Sequence, residues 1–190
     1  MAAKSPTLYQ IETCLRLACD KTLPGSVAHR ILAPRPRQGW RPGKIPADSR
    51  RAAVLALLYP LNGAPHLLLT VRSNKLHAHA GQLSLPGGML EDDETNSQAA
   101  LREAHEEVGV DPSRVRVIGT LSVLHIPATN FVLHPVIGIA DKTLNIRLAK
   151  TEVERAVEVS VQDLSNPNNL RLGTRWRNNR LYTVPYFELQ

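Results

Sequence analysis

An α/β fold built on a mixed sheet is what this sequence predicts, and two patterns carry the prediction. Short apolar-rich runs of strand length recur at Ala52–Tyr59, His66–Arg72, Val115–Val123, Phe131–Ala140, Arg155–Val161 and Leu181–Phe187. Between the second and third lies one strongly helical segment, inside Gly88–Val110, so strands frame a helix in mixed order, an α/β or α+β arrangement. A chain of 190 residues suits one domain with an N-terminal extension. The boundary is placed after residue 50: residues 1–50 form a helix and a Pro/Arg-rich connector, and residues 51–190 form the main domain.

Taken in order, Leu8, Ile11, Leu15 and Ala18 recur at helical spacing between Pro6 and Lys21, with Ser5 or Thr7 available as a cap. The expected result is an amphipathic helix packed on the main domain. Cys14 and Cys19 fall on different faces of it, a spacing that suits neither a disulfide framework nor a zinc site, so both are read as reduced thiols. Residues 22–50 are punctuated by Pro24, Gly25, Pro34, Pro36, Gly39, Pro42, Gly43 and Pro46, with Arg30, Arg35, Arg37, Arg41 and Lys44 between. That composition predicts an extended, solvated connector rather than a helix or a cover over a nucleotide.

Ala52–Tyr59 is continuously apolar and fits a buried strand; Pro60-Leu61-Asn62-Gly63 reads as a turn and His66–Arg72 as the returning strand. Leu85-Pro86-Gly87-Gly88 reads as a tight turn. Asp93 or Thr95 can cap the central helix, Ala100, Leu101, Ala104 and Val108 give it an apolar face, and Gly109 can end it in a left-handed conformation. Two strands follow, with a loop around His125-Ile126-Pro127. Val157, Val159 and Val161 then alternate with Glu158 and Ser160 in a further strand, Gln162-Asp163-Leu164 leads into a turn over 165–169, and a last strand follows an arginine-rich polar segment.

The formal charge of +6 favours an anionic partner: a phosphate-rich metabolite, nucleic acid or a membrane surface. No apolar run approaches membrane-spanning length, so a membrane partner is not expected. The N-terminus shows no secretory pattern, Glu12 and Asp20 argue against a transit peptide, and Glu188-Leu189-Gln190 is no peroxisomal address; the expected location is the cytoplasm.

Chemistry concentrates on the central helix. Glu103, Glu106 and Glu107 stand at i, i+3 and i+4 and share one face. Three carboxylates within one turn repel one another unless a cation joins them, and Mg²⁺, a hard ion, takes carboxylate and phosphate oxygens together. The plainer alternative is a solvated acidic face.

The spacing of Gly88, Glu94, Arg102, Glu103, Ala104, Glu106, Glu107, Gly109 and Val110 resembles the Nudix box, the signature of the Nudix hydrolases, with only Ala104 small for its slot. The resemblance implies an α/β/α sandwich around a mixed sheet over residues 51–190. It further implies that Glu103, Glu106, Glu107 and the Gly88 carbonyl hold Mg²⁺ or Mn²⁺, that the general base is a box glutamate or a loop carboxylate with Glu103 the first choice, and that Arg102 orients Glu103 and pairs with Glu94.

The run-in to the box resembles a further motif, that of the coenzyme A pyrophosphatase branch. Leu68-Leu69-Thr70-Val71-Arg72-Ser73 and Gly81 match in register; His77 stands where that motif has Arg, and Leu85 where it has Phe. Histidine carries a full charge only near or below its ordinary pKa of about 6.5. The implied activity is hydrolysis of coenzyme A or its thioesters, with Arg72, Ser73, Lys75, His77 and Gly81 as substrate-binding positions, and with Glu152 or Glu154 as an additional carboxylate. Arg72 has a second reading, a strand-end arginine paired with a nearby acid. His79 is read as structural and His105 as a surface or packing residue.

In this branch the chain runs past Pro185-Tyr186-Phe187 into a closing helix, whereas here the sequence ends at Gln190, so two expectations stand open: a sequence cut short of its C-terminal helix, or a sandwich closed in another way. The partner expected is a small nucleotide of coenzyme A type, with no nucleic acid and with self-association into a homodimer left open. Two other functions fit parts of the pattern. One is hydrolysis of another nucleoside diphosphate derivative such as ADP-ribose, NADH or a dinucleoside polyphosphate. The other is a non-catalytic nucleotide- or RNA-binding module using Arg171, Arg175, Arg177 and Arg180.

Overall fold

The structure, a computed structural model, describes residues 5–37, 39–41, 43–74 and 81–189. Its spine is β1 (Arg50–Leu61), whose Leu55, Leu57 and Tyr59 are fully buried. On one edge β1 runs parallel to β7 (Phe131–Ile139), from Arg50 beside Phe131 to Leu58 beside Ile139. On its other edge two strands share β1 end to end: β4 (Gly87–Met89) pairs with Ala52–Val54, and β2 (Ala64–Arg72) pairs with Leu58–Leu61, both antiparallel. β2 continues the sheet through β3 (Leu83–Ser84) and β8 (Val153–Ser160), and β7 through β5 (Arg116–Thr120) and β6 (Leu124–Ile126). The result is a mixed eight-stranded sheet.

Both faces are covered. Ala99, Ala100, Ala104 and Val108 of α3 (Asn96–Val108) pack on Ala53, Leu55, Leu57, Tyr59 and Val136. On the other face Leu8, Ile11, Leu15 and Cys19 of α1 (Leu8–Cys19) pack on Leu58, Ile118, Ile137 and Ile139. Strand periodicity explains the division, since successive side chains of β1 and β7 turn to opposite faces. Each helix opens with a reciprocal capping box, Thr7 with Gln10 and Thr95 with Gln98, and Gly109 ends α3 at φ 69°. Thr95 rather than Asp93 is the cap. Both cysteines are free. Among the described residues no helix is long and apolar enough to cross a membrane.

Five local expectations are corrected. The Pro60–Gly63 turn shrinks to Asn62-Gly63, both at positive φ, because β1 stays paired through Pro60 and Leu61. Leu85–Gly88 is not simply a tight turn: Gly87 and Gly88 lie in β4, where a Cβ on Gly87 would stand 2.3 Å from the Ala53 carbonyl oxygen. The connector contains a short helix, α2 (Ser26–Ile31), and His125 lies in β6. The arginine-rich segment is itself a strand, β9 (Leu170–Arg177), paired with β10 (Arg180–Phe187) across Asn178-Asn179, both at positive φ. Between this hairpin and β8 lies the short helix α4 (Val161–Ser165).

Candidate active site

The split edge of β1 makes room for the glutamates. Where β4 and β2 part, α3 crosses above, and Glu107 comes down onto Gly87, whose N–H donates to its Oε2 at 3.3 Å. Glu107 is 4% exposed. Burial pushes its carboxyl up to about 7; the Gly87 N–H and the charge of Arg72 oppose that rise, and the charges of Glu103 and Glu152 add to it. Half-buried Glu103 is also raised, first by burial, against the hydrogen bond from Arg102.

Arg102 organises the outer part of the cluster. Its Nε and Nη2 donate to the two carboxylate oxygens of Glu94 at 2.8 and 3.0 Å. Nη1 donates to Glu103 Oε1 at 3.0 Å and to Glu106 Oε2 at 3.2 Å, and Nη2 reaches the Met89 carbonyl at 3.1 Å. The pairing with Glu94 and the contact to Glu103 are the ones expected from sequence. Gly88 is in contact with the group from below: a Cβ there would meet Glu103 Oε1 at 2.3 Å.

From the sheet side comes Arg72, at the end of β2. Its charge acts on Glu107, and its Nε is buried without a hydrogen-bond partner. Ser73 is buried beside it and donates its N–H to the Glu152 carbonyl at 2.8 Å, while Gly81 (φ 69°) donates its N–H to the Arg72 carbonyl at 3.0 Å. The structure therefore places Ser73 and Gly81 beside Arg72, whose charge reaches Glu107, and Lys75, His77 and His79 lie outside the described residues.

Of the two outside carboxylates, Glu152 is the one whose charge bears on both Glu103 and Glu107. Glu154 instead accepts from Asn74 Nδ2 at 2.7 Å. Sequence reasoning could not separate them, because the choice depends on the segment before β8. There the N–H groups of Arg147 and Ala149 cap the carbonyls of Val108 and Glu107, both at 2.9 Å, and so draw the segment across the end of α3. His105 is exposed, with Nδ1 3.1 Å from the Val110 carbonyl, as a surface residue should be.

Among the described residues no three acidic, histidine or cysteine side chains stand as a ready-made metal cage. The reason is local: Arg102 holds Glu103 and Glu106, and Gly87 holds Glu107. The donor chemistry nonetheless fits a hard divalent cation, since the glutamates offer only oxygens and buried Glu107 has, among the described residues, a single long N–H contact.

The NUDIX domain pattern matches residues 49–181, and the chain belongs to the Nudix family. It is 39% identical to an uncharacterized Nudix hydrolase NudL of Klebsiella pneumoniae (strain 342) over 134 residues, 70% of this chain and 66% of that relative. The Photorhabdus laumondii relative of the same description is 33% identical over 76% of this chain and 79% of its own length. The chain thus spans slightly under two thirds of the Klebsiella protein. Among solved structures, a Nudix hydrolase of M. smegmatis, RenU, superposes with a TM-score of 0.52 at 29% identity, over 62% of this chain and 74% of that one. A C. elegans Ap4A hydrolase shares the fold, with a TM-score of 0.51 at 21% identity, over 60% and 82%.

Proposed function

We propose that this chain is a divalent-metal-dependent pyrophosphohydrolase of coenzyme A or its thioesters, releasing a 4′-phosphopantetheine species and adenosine 3′,5′-bisphosphate. Family membership supports hydrolysis of a nucleoside diphosphate derivative. The observation that carries the finer reading is Arg72: it stands in the Leu68–Ser73 motif, its charge acts on Glu107, and it keeps a buried Nε without a partner. A planar guanidinium so placed suits two parallel hydrogen bonds to phosphate oxygens.

In this reading Glu103, Glu106 and Glu107, with the Gly88 carbonyl, hold Mg²⁺ or Mn²⁺. When bound, such an ion would supply charge neutralisation at the diphosphate and activation of the attacking water. Glu103 accepts the proton of the attacking water, and the burial that raises its carboxyl brings it nearer the range useful to a base. Arg102 fixes the Glu103 carboxylate, and Arg72 holds the diphosphate in line for attack. Ser73 and Gly81 shape the approach, Lys75 and His77 supply charge toward the 3′-phosphate, and Glu152 adds a carboxylate.

The test is product identification by mass spectrometry after incubating coenzyme A with Mg²⁺ and with Mn²⁺, beside a panel of ADP-ribose, NADH and a dinucleoside polyphosphate. Adenosine 3′,5′-bisphosphate as the product, with the highest kcat/KM on coenzyme A, is the expected result. A preference for a substrate lacking the 3′-phosphate overturns it.

A further inference from the structure

The cations of this chain are unevenly spread. Residues 21–47 hold six Lys and Arg and residues 164–187 hold four, and neither stretch contains an Asp or a Glu. Two backbone hydrogen bonds join them: Arg35 donates its N–H to the Thr183 carbonyl at 2.9 Å and accepts from the Thr183 N–H at 2.8 Å, so the connector borders β10. Cations gathered without acids repel one another, and a polyanion laid over them relieves that. We propose that the hairpin of β9 and β10 is a binding surface for single-stranded nucleic acid, additional to the hydrolytic site at the glutamates. It revises the expectation of no nucleic-acid partner.

The register of the hairpin decides which side chains meet such a strand. Arg171 stands opposite Tyr186, Arg175 opposite Tyr182 and Arg177 opposite Arg180, and directly paired residues share a face. One face therefore presents four arginines and two tyrosines. Arg177 and Arg180 form a like-charge cross-strand pair, which destabilises the hairpin unless something negative lies against it. Arg171 has an acid, Glu188, at 3.1 Å; Arg175, Arg177 and Arg180 are exposed and have no ion-pair partner among the described residues. The opposite face carries Leu172, Trp176 and Leu181, all exposed, and no charge from either strand, so phosphate contact is confined to the tyrosine face.

The tyrosines separate a nucleic acid from other polyanions. Gly173 lies between Arg171 and Arg175 on their face, and a Cβ built there would stand 3.1 Å from Tyr186 Cε1 and 3.6 Å from Cδ1. The Tyr186 ring thus leans over the backbone at Gly173 instead of standing away from the sheet, and it stays 46% exposed. An aromatic ring laid along a sheet, open outward and flanked by arginines, is a platform on which a base stacks while its phosphates meet the cations. Eight residues per strand make the face about 26 Å long, room for about four nucleotides. Nothing in this set of side chains reads a base edge, so the binding is indifferent to sequence and to the sugar.

Fluorescence anisotropy in EDTA with labelled oligo(dT) and oligo(rU) of about 12 nucleotides tests this on the intact chain. Both should bind alike, and log K should fall against log [KCl] with a slope of about −2, the worth of three phosphates on a single strand. An abasic strand of the same length should bind about tenfold more weakly, and Tyr186→Ala should weaken oligo(dT) about as much with the slope unchanged. Tyr186→Phe should keep the affinity, which tests the ring even if Tyr186→Ala fails to fold. Arg175→Gln combined with Arg180→Gln should flatten the slope to about −0.7. Glu103→Gln should bind as the parent does. Absence of binding to both strands at about 50 mM KCl overturns the proposal, as does an abasic strand bound equally well. So does an unchanged slope in the double arginine variant, loss of binding in Glu103→Gln, or capture by phosphatidylserine vesicles of a protein that binds neither strand.

Discussion

Glu103 rests on Gly88: a Cβ built on that glycine would stand 2.3 Å from Glu103 Oε1 and 2.6 Å from Oε2. At Gly87 the same added atom would strike the Ala53 carbonyl oxygen and Val54 Cα, which belong to β1. The two adjacent glycines thus exclude side chains for different reasons. Gly88→Ala displaces only the end of a flexible side chain, so kcat/KM should fall about 100-fold with a near-normal melting temperature. Gly87→Ala must move backbone and should cost about 1–3 kcal/mol of stability. Thermal melts beside hydrolysis assays check the contrast, and a Gly88→Ala protein with full activity would remove Glu103 from its proposed role.

Glu107 predicts an unusual pH dependence in metal-free protein. Its carboxyl titrates at about 7 folded and about 4.5 unfolded, so between those values the folded state holds more protons. Its contribution is present below pH 4.5 and is lost as pH rises through 7, by up to about 3 kcal/mol. Melting temperature in EDTA should decline over that window, Glu107→Gln should flatten the decline, and Mn²⁺ should restore stability at pH 8 to the parent only. Parallel profiles for parent and variant in EDTA would refute the assignment.

The legible parts of this chain are those where local chemistry decides. The 3.6-residue period of α3, its end at Gly109 and the continuous apolar run of β1 need no partner to be recognised, whereas the reach of Arg102 to Glu94 is implied by the resemblance to the Nudix box and the choice of Thr95 over Asp93 as cap needs the structure. The illegible parts depend on distant partners. β9 hides because Arg171, Arg175 and Arg177 obscure an alternation that appears only once Leu172 pairs with Pro185 and Trp176 with Leu181. β4 hides because two glycines signal a turn, while their placement is set by close approach to β1. Glu152 is separated from Glu154 by a segment that caps α3, and α2 is too short to show a period.

Glu12 ties α1 to the sheet and predicts the opposite sign in acid. Arg116 donates to both of its oxygens at 2.7 and 3.0 Å and to Asp141 at 2.8 Å, and these contacts, with Arg16, hold the Glu12 carboxyl down to about 2. A depressed folded pKa gives stability that is present above about 4.5 and lost as pH falls toward 2. Arg116 is 46% exposed, so solvent limits the pair to about 0.5 kcal/mol. A double-mutant cycle of Glu12→Gln with Arg116→Met should find that coupling at pH 7 and a smaller one at pH 2.

Arg102 separates charge from shape. It spans Glu94, Glu103, Glu106 and the Met89 carbonyl with three nitrogens in one plane. A lysine ammonium carries the same charge and three donors from a single point, so it cannot bridge Glu94 and Glu103 together. Arg102→Lys should therefore lower kcat about 10- to 100-fold while KM changes little, because what is lost is the orientation of Glu103. Glu94→Gln keeps one acceptor oxygen for the guanidinium and should lower kcat less. If Arg102→Lys retained the parent kcat, positive charge alone would account for Arg102 and its positioning role would be excluded; if the deficit appeared in KM instead, Arg102 would belong to substrate binding.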